Sequence, residues 1–374
     1  MNVLVVFTYG YSLETWSNSG TLFRELSIYK ELNSKYNIKF TFLTYGKNQD
    51  LKYNLDQFGI KVLPVYNYLR LRKSKYINYL NSFLIPFYFK NEMKNISLIK
   101  QNQLLGSWVS ILLKIIYRKP LFIRTGYDMY KFSIEEKKHP AIIFLYKILT
   151  KISLKLSNIY SVSSFDDIEF LNSKFKNRNL LLRRNWVLKN EYVNFENRKE
   201  KKILSVGRLE EQKDFSFVIN NLKNSNFVLD IIGEGSLKNE LQKEANACGV
   251  KLNLLGPKTN EEIMKIMKEY RYFISGSKFE GNPKAIIEAM SVGCVVIASS
   301  IKNHSELITD KTTGFLYSKN DSSLNILINS LGSNLKLEQQ ISINSYNYIN
   351  SEYSLQKISE IEYQDYIYLA TEFK

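Results

Sequence analysis

Short apolar runs alternate along the chain with segments in which apolar residues recur at helical spacing. In the first half these runs predict strands over residues 3–8, 38–43, 61–65, 121–124 and 159–163. In the second half they predict strands over residues 202–206, 227–232, 252–255, 272–275, 295–298 and 314–317. Buried apolar strands separated by helices are typical of parallel sheets covered by helices. The pattern therefore predicts an α/β fold.

The strand–helix pattern restarts near residue 200, after a polar stretch over residues 189–200. A chain of 374 residues is long enough for two domains. We therefore predict a doubly wound, Rossmann-like domain over residues 1–188 and a second over residues 189–352, facing each other across a cleft. Residues 353–374 form a predicted final helix that is rich in tyrosine.

One segment carries two carboxylates eight residues apart, those of Glu280 and Glu288. Between them, Gly281, Asn282 and Pro283 form a helix start signal, with Asn282 as the N-cap and Pro283 as the first helical residue. We therefore expect Glu280 on the loop between a strand and a helix, and Glu288 inside that helix.

The start of this helix is a predicted anion site. We expect the backbone N–H groups of Lys284, Ala285 and Ile286 to face the crevice at the carboxyl end of the preceding strand. Open α/β sheets bind ligands in that crevice, and a helix start favours phosphate. An anionic ligand with hydroxyl groups, such as a nucleotide sugar, would fit both the amides and the carboxylates.

Two cations follow the first predicted strand of the second half. Gly207 ends that strand, Arg208 comes next, and Lys213 lies five residues further on. The glycine allows close backbone approach to a ligand, and the two cations can clamp a pyrophosphate. The alternative is a pair of solvated cations in a turn, but the nearby Glu280–Glu288 segment favours the clamp.

Gly233 and Gly256 end the next two predicted strands. The Gly-Glu-Gly fragment at 233–235 lacks the third glycine and the first-strand position of a dinucleotide site. Both loops are therefore open to two interpretations, which are tight strand-to-helix turns or contacts near the base of a bound nucleotide.

Candidate residues of the first half lie on two loops. The polar loop over residues 8–20, which contains Ser19 and Gly20, is expected either to approach the ligand phosphates or to be an ordinary surface loop. Arg124 and Asp128 follow a predicted strand and are candidates for acceptor contacts. The alternative for Asp128 is the N-cap of a helix.

The charge is unevenly divided between the two halves of the chain. Residues 1–190 hold 30 Lys and Arg against 12 Asp and Glu, whereas residues 191–374 hold 22 against 24. A basic first half indicates an anionic partner, for which nucleic acid and anionic lipid are the candidates.

A basic and aromatic stretch lies within this first half. Residues 63–90 interleave aromatic and apolar residues with Arg70, Arg72, Lys73 and Lys75. Such a stretch can bind single-stranded nucleic acid, lie on a membrane surface, or form a partly buried helix with a solvated face.

No apolar stretch reaches the length of a membrane span, and no signal-peptide pattern is visible at the start. Residues 141–156 are apolar but contain Lys147, Lys151 and Lys155 at steps of four, which predicts an amphipathic helix with its lysines on one face. The protein is therefore expected to be cytoplasmic and, if membrane-associated, peripheral.

Residue types that bind metals are sparse. Cys248 and Cys294 fit no metal spacing and are expected to be buried free thiols in a reducing compartment. The two histidines are isolated in the sequence. Asp166 and Asp167 open a predicted helix, where acidic residues complement the dipole. We therefore predict no metal site.

Taken together, these motifs resemble the retaining GT-B glycosyltransferases, specifically glycosyltransferase family 4. The segment from Glu280 to Glu288 is similar to the E-x7-E motif of that family, and residues 205–213 are similar to its G-R-L…K segment. Residues 232–235 match its I-G-x-G turn, and residues 255–256 and 306–316 match in order and spacing. The resemblance is specific over about residues 200–320.

The resemblance implies roles for these residues. It implies that Arg208 and Lys213 bind the donor diphosphate and that Glu288 binds the ribose hydroxyls. It also implies that Glu280 contacts the donor sugar near the reacting centre. It also implies a final helix that crosses back to the first domain. Many members carry a histidine at the place where this chain has Arg124-Thr125-Gly126-Tyr127-Asp128.

The candidate site residues fall into three sets. The catalytic set is Glu280, Arg208 and Lys213. The donor-binding set is Gly207, Gly233, Gly256, Gly281, Asn282, Pro283, Lys284, Ala285 and Glu288. The acceptor set is Ser19, Gly20, Arg124 and Asp128.

We therefore expect a retaining glycosyltransferase of the hexosyltransferase type (EC 2.4). Its expected donor is a UDP- or GDP-sugar, and its expected acceptor is a lipid-linked glycan of lipopolysaccharide, O-antigen or capsule synthesis. No cofactor or metal is expected, because two cations and a helix start can stabilise the departing diphosphate. The other expected partner is an anionic membrane surface at the inner face of the cell membrane, and not nucleic acid.

Two alternatives from other classes stay open at this point. One is a nucleic-acid-binding protein that uses the basic first half. The other is a GT-B sugar-nucleotide epimerase or a phosphorylase, although a phosphorylase would need a pyridoxal-phosphate lysine in a far larger chain. Cations at strand ends beside carboxylates would favour the transferase, whereas a continuous basic groove would favour nucleic acid.

Overall fold

The computed structural model describes residues 1–176 and 179–373. The chain folds into two compact units. The first unit comprises Met1–Arg184 together with Leu355–Lys374, and the second comprises Asn185–Ser354. The end of the chain therefore returns to the unit that contains its beginning.

A parallel sheet of seven strands forms the centre of the described part of the first unit, in the order β3-β2-β1-β4-β5-β6-β7. Its strands are β1 (Asn2–Val6), β2 (Lys39–Thr44), β3 (Ile60–Pro64), β4 (Leu98–Asn102), β5 (Leu121–Arg124), β6 (Ile159–Val162) and β7 (Leu180–Leu182). The order reverses between β1 and β4, which makes the sheet doubly wound.

The helices of this unit connect successive strands. They are α1 (Leu13–Asn18), α2 (Leu22–Tyr36), α3 (Lys75–Ser82), α4 (Ile85–Tyr88), α5 (Lys90–Met93), α6 (Ser107–Tyr117), α7 (Met129–Glu135), α8 (Pro140–Leu156) and α9 (Phe165–Lys174). Short 3₁₀ helices lie at Asn48–Tyr53, Asp56–Phe58 and Val65–Asn67.

The sequence pattern missed two strands of this sheet, β4 and β7. β4 contains Lys100 and Gln101, both fully buried, so it does not have the apolar pattern of a central strand. β7 has three residues, too few to stand out. The predicted loop over residues 8–20 also contains helix α1, whose first turn is closed by a capping box between Ser12 and Thr15.

The described residues of the second unit form a parallel sheet of six strands, in the order β10-β9-β8-β11-β12-β13. The strands are β8 (Lys199–Val206), β9 (Val228–Ile232), β10 (Lys251–Leu254), β11 (Tyr270–Ser275), β12 (Val295–Ser299) and β13 (Phe315–Tyr317). All six correspond to predicted strands. The reversal of order lies between β8 and β11, where ligands of such sheets bind.

The helices of the second unit are α10 (Phe215–Asn221), α11 (Lys238–Cys248), α12 (Asn260–Met267), α13 (Lys284–Ser291), α14 (Lys302–Ser305), α15 (Ser323–Ser330) and α16 (Leu335–Glu352). Short 3₁₀ helices lie at Phe195–Asn197 and Glu211–Lys213.

Both faces of this second sheet are buried. Along β11, Tyr272 and Ile274 belong to one apolar cluster and Phe273 belongs to another on the opposite face. Helix α13 buries Ile286 and Met290 in the second of these clusters. Because both faces are filled by apolar side chains, polar groups collect on the loops at the carboxyl ends of the strands.

The last helix, α17 (Leu355–Glu372), belongs to the first unit, where it packs against α2 and β4. Its Glu362 is buried between Lys100 and Arg124, and its Asp365 accepts two 2.6 Å hydrogen bonds from Arg183. The predicted fold class is thereby confirmed, with two Rossmann-like parallel sheets and a final helix that returns to the first.

Candidate active site

The predicted clamp residues lie at the carboxyl end of β8. The N–H of Gly207 donates to Ile232 O at 3.0 Å, and the side chain of Lys213 runs across this glycine. A Cβ at Gly207 would lie 3.1–3.2 Å from carbons of the Lys213 side chain, so a larger residue here would crowd the lysine. Arg208 is exposed, and its Nη2 donates to Gln212 Oε1 at 3.3 Å.

The carboxylate of Glu280 is the centre of this site. It lies on the loop after β11 and is only 8% exposed. Its Oε1 accepts hydrogen bonds from Lys213 Nζ at 2.5 Å and from Ser277 Oγ at 2.6 Å. Its Oε2 receives a longer contact of 3.5 Å from Gln212 Nε2. The structure therefore brings together all three residues of the predicted catalytic set, with Gln212 linking Arg208 to Glu280.

Neighbouring polar residues fix the loop that carries Glu280. Gln212 O accepts from the Lys278 N–H at 2.8 Å, and Gln212 Nε2 donates to Phe279 O at 3.0 Å. Ser299 Oγ donates to Ser277 O at 2.7 Å, and Asn303 Nδ2 donates to Gly281 O at 2.9 Å. Sequence reasoning missed this supporting set, although Ser299 follows a predicted strand directly and Gln212 precedes Lys213.

His304 is buried beneath the same loop. Its Nδ1 lies 2.8 Å from Ser299 O, an acceptor, so Nδ1 carries the proton of the neutral ring. Its Nε2 is buried and has no hydrogen-bond partner within the described ranges. Burial lowers the pKa of His304 to about 4, which outweighs the opposite effect of the Glu280 charge. A neutral imidazole therefore lies close to Glu280, at a residue that looked isolated in the sequence.

The helix after this loop begins one residue later than predicted. Pro283 is the N-cap and Lys284 the first helical residue, so Asn282 is not the N-cap. The N–H of Lys284 donates to Asn282 O at 2.8 Å, and that of Ile286 donates to Pro283 O at 3.0 Å. These two amides are therefore engaged in a local turn, and the prediction that they point freely into the crevice was wrong.

Two groups at this helix can still serve a ligand. Asn282 Oδ1 is buried and accepts no hydrogen bond from the part of the chain that the structure describes. Glu288 is buried in α13, and its Oε1 accepts from Asn260 Nδ2 at 2.8 Å. Asn260 is the first residue of α12, so it holds this carboxylate from a neighbouring element.

The glycines of the adjacent loops have a packing role. Gly233 has φ +151°, and a Cβ there would lie 1.9 Å from Gly207 O, which is closer than two non-bonded atoms can approach. Its N–H donates to Gly256 O at 3.0 Å. Gly256 has φ +70°, and a methyl group added there would meet no atom within 4 Å. The three strand ends thus lie against one another, which supports the tight-turn interpretation of Gly233.

Two of the four acceptor candidates of the first unit, Arg124 and Asp128, have structural partners, whereas the role of Ser19 and Gly20 stays a prediction. Arg124 is buried, with Nη1 at 2.5 Å from Glu362 Oε2 and Nη2 donating to Arg184 O at 2.8 Å. The prediction that Arg124 contacts the acceptor is therefore corrected, because its charge is committed to Glu362 of α17. Ser19 ends α1 and its Oγ donates to Trp16 O at 3.1 Å, while Gly20 follows in the left-handed region with φ +67°.

Asp128 is the N-cap of α7, as the alternative interpretation proposed. Its Oδ1 accepts from the Lys131 N–H at 2.7 Å, and its Oδ2 is buried without a hydrogen-bond partner within residues 1–176 and 179–373. Burial raises the pKa of Asp128 to about 7, and burial also raises the pKa of the neighbouring Asp167 to about 6. Both acids thus have a structural explanation.

The structure confirms the predicted helix start at Asp166 and Asp167 and the free state of both cysteines, whereas the predicted burial is right for Cys294 and wrong for Cys248. Asp166 and Asp167 lie in the first turn of α9, after the N-cap Ser164. Both cysteines are free, with Cys294 buried and Cys248 partly exposed. Among the described residues, no group of three or more His, Cys, Asp and Glu side chains is placed to hold a metal ion.

Comparison with known proteins identifies the region that carries this site. Residues 189–348 match the family model of glycosyl transferases group 1. The matched region includes the clamp residues, Glu280 and Glu288. The chain is also 24% identical, over 306 residues, to the capsular polysaccharide biosynthesis glycosyltransferase CapH of Staphylococcus aureus, and that match covers 78% of this chain and 81% of the relative.

A second relative is more similar over a shorter region. The N-acetylgalactosamine-N,N'-diacetylbacillosaminyl-diphospho-undecaprenol 4-alpha-N-acetylgalactosaminyltransferase of Campylobacter jejuni is 38% identical over 125 residues, which is 32% of this chain and 33% of that protein. The chain spans between 26% and 33% of the length of the first three curated relatives that it matches.

The fold has counterparts among solved structures. The Anabaena protein Alr3699/HepE, in complex with UDP and glucose, superposes with a TM-score of 0.73 at 15% identity, covering 98% of this chain and 99% of that one. The chain has the GT-B fold.

Proposed function

We propose that the protein is a retaining glycosyltransferase of family 4. In this proposal it moves a hexose from a UDP- or GDP-sugar to a lipid-linked glycan acceptor in the synthesis of a surface polysaccharide. The observation that carries the proposal is the contact of Lys213 with Glu280, next to Arg208, inside the region that matches glycosyl transferases group 1. Cations at strand ends beside a buried carboxylate favour this function over nucleic-acid binding.

Arg208 and Lys213 would hold the donor diphosphate. An ammonium group has three N–H donors, and the contact with Glu280 uses one, so Lys213 keeps donors for phosphate oxygens. Arg208 is exposed beside it and can present a planar guanidinium to a second oxygen. Both charges would stabilise the diphosphate as it departs with the bonding electron pair.

Glu280 would contact the donor sugar. Its Oε1 is held by Lys213 and Ser277, whereas its Oε2 has the longer contact and retains acceptor capacity for a sugar hydroxyl. A fixed carboxylate also stabilises the oxocarbenium-like state that forms as the bond from the anomeric carbon to the diphosphate breaks. The acceptor oxygen then bonds to that carbon, and the proton of its hydroxyl passes to an oxygen of the departing diphosphate.

The rest of the donor would lie along the neighbouring loops. Glu288 would accept hydrogen bonds from the ribose hydroxyls, with Asn260 orienting it. Asn282 and the loop after Gly281 would contact the sugar or phosphate, and the loops at Gly233 and Gly256 would lie near the base. We propose that no metal takes part, because the cation pair supplies the charge that a metal would otherwise bring.

The acceptor and the location are proposed from the relatives. The Campylobacter relative's name specifies a diphospho-undecaprenol-linked substrate, and the Staphylococcus relative's name specifies capsular polysaccharide. The Anabaena structure contains UDP and glucose. We infer that this protein works in the cytoplasm at the inner face of the cell membrane. It would bind the anionic membrane surface and use a lipid-linked glycan as its acceptor.

A donor screen followed by product analysis tests this function. UDP- and GDP-sugars should be screened by thermal shift, and those that stabilise the protein should be assayed for turnover on lipid-linked acceptors. We expect stabilisation by at least one nucleotide sugar and a product whose anomeric configuration by NMR equals that of the donor. An inverted product would refute retention, and the absence of stabilisation by any nucleotide sugar would refute the proposed function.

A further inference from the structure

Helix α8 presents an apolar face to the solvent. Phe144 and Leu145 are 60% and 64% exposed, and Ile148 and Ile152 follow them at helical spacing and are also exposed. The side that faces the protein contains Thr150 and Ser153, both fully buried. Leu154 is buried beside them, so the helix has apolar side chains on both sides, and its outward side exposes several large ones.

Cations accompany these apolar side chains. Lys147, Lys151 and Lys155 are all exposed on the same helix, so the predicted lysine face is also the apolar face. The sequence from residue 137 to residue 165 contains no Asp or Glu. Exposed apolar groups combined with positive charge and no negative charge are typical of helices that lie in a membrane interface.

The neighbouring helices extend this surface. α6 packs against both α8 and α4. Ile115 and Ile116 are exposed on α6, and Phe87 and Tyr88 are exposed on α4. Residues 57–127 contain a single acidic residue, Glu92, and Lys61 forms an ion pair with it. A cluster of exposed large apolar side chains is typical of an interaction site.

We propose that the outward face of α8 docks on an anionic lipid bilayer, with the helix axis in the membrane plane and with Phe144 and Leu145 inserted below the headgroups. We define this docking face by Phe144, Leu145, Ile148 and Ile152 with Lys147, Lys151 and Lys155. The inference rests on the membrane-associated function proposed above and names the surface that achieves it. None of the helices in the described residues is long and apolar enough to cross a membrane.

The charges favour a bilayer over a second copy of the chain. A symmetric dimer through this face would bring the three lysines of one copy towards those of the other, without acidic residues on α8 to offset them. An anionic bilayer supplies both missing components, since its headgroups attract the lysines and its hydrocarbon accepts the apolar side chains.

Vesicle flotation of the full chain tests the proposal. The wild-type protein should float with vesicles that contain phosphatidylglycerol and remain behind with pure phosphatidylcholine. The double variant Phe144→Gln/Leu145→Gln should bind at least about tenfold more weakly, because two large apolar side chains no longer enter the hydrocarbon. The triple variant Lys147→Gln/Lys151→Gln/Lys155→Gln should also bind more weakly and should lose most of its dependence on salt.

A matched control is available on the other unit. Ile326 on α15 is 65% exposed, so Ile326→Gln removes an equally exposed apolar side chain outside the docking face. Its vesicle binding should equal that of the wild type. All variants should keep the wild-type thermal shift with nucleotide sugar, which separates failure of this proposal from failure of the proposed function.

Three results would overturn the proposal. The first is unchanged vesicle binding by the Phe144→Gln/Leu145→Gln variant. The second is an equal loss of binding in Ile326→Gln. The third is a lipid-free dimer, seen by light scattering, that becomes monomeric in the double variant, since this would make the face a contact between copies of the chain.

Discussion

Lys213 Nζ lies 2.5 Å from Oε1 of Glu280. This ion pair joins the lysine that is predicted to bind the donor phosphate to the carboxylate that is predicted to contact the donor sugar. The sequence assigned these residues separate roles, 67 positions apart. Their contact means that a lysine at the end of β8 fixes the orientation of a carboxylate that follows β11. A donor that binds Lys213 through its phosphate would therefore also position its sugar against Glu280.

The orientation of Glu280 should depend on Ser277. Ser277→Ala removes the 2.6 Å hydrogen bond to Glu280 Oε1. We expect kcat to fall roughly tenfold, or about 1.5 kcal/mol, with a smaller change in donor affinity, because the nucleotide contacts are unaffected. Ser359→Ala is the control, since Ser359 is also fully buried but lies on α17. Equal kcat in both variants would remove Ser277 from the account.

Turnover should not require a divalent metal. In the proposed site, Arg208 and Lys213 supply the positive charge that a departing diphosphate needs. Activity should therefore persist after extensive treatment with EDTA. A complete loss of turnover that magnesium or manganese restores would contradict this prediction.

The two loop glycines should differ sharply in their tolerance of alanine. Gly233→Ala places a Cβ 1.9 Å from Gly207 O and should lower the free energy of unfolding by about 3 kcal/mol or more. Gly256→Ala meets no atom within 4 Å and should cost about 1 kcal/mol, the strain of its positive φ. Urea denaturation measures both values, and similar losses would show that the close approach of the strand ends is not important for stability.

Asp128 should make stability depend on pH. Its pKa is raised by burial from 3.8 to about 7, so the folded protein holds a proton that the unfolded chain releases over this range. The contribution is fully present below the unfolded pKa and is lost as pH rises through the folded pKa. An asparagine at this position would keep the N-cap without the charge, so the stability of Asp128→Asn relative to wild type should rise from about pH 4 to about pH 8.

This difference isolates Asp128 from groups with the opposite effect. The pKa of His304 is lowered by burial to about 4, so His304 makes the folded state more stable as pH rises. It is present in both proteins and cancels in the comparison. Urea titrations of both proteins over this range would contradict the prediction if their difference did not change with pH.

The sequence predicted the parts of the fold that rest on local apolar patterns. All six strands of the second sheet were predicted because each contains a short run of mostly apolar residues, which in β12 is unbroken over residues 295–298. β4 was missed because Lys100 is buried in it, and Lys100 is buried there because Glu362 supplies a counter-charge from the last helix. A pairing over 262 positions leaves no local signal.

In the candidate site too, features with a local sequence signal were predicted, whereas pairings between distant positions were not. Arg208, Lys213 and Glu280 were predicted from residue type and from the positions of strand ends, and the structure brings them together. Arg124 also follows a strand, but its partner Glu362 is 238 positions away, so sequence alone could not show that its charge is committed elsewhere. The one-residue shift at Asn282 depends on the backbone conformation of Pro283, which a capping preference does not specify.

Steady-state kinetics of Arg208→Ala and Lys213→Ala test the central claim most directly. Each variant should lower kcat/KM for the nucleotide sugar by about 1.5–3 kcal/mol, or roughly 10–150-fold, because a charge-assisted contact to phosphate is lost. Lys278→Ala is the matched control, since Lys278 lies on the same loop as Glu280 but forms a surface ion pair with Glu211 at 3.0 Å. Arg208 is exposed, so its removal should leave the fold intact even if Lys213→Ala destabilises Glu280. A loss of this size in both variants with an unaffected control is the predicted result, whereas unchanged kcat/KM in both would contradict the diphosphate clamp.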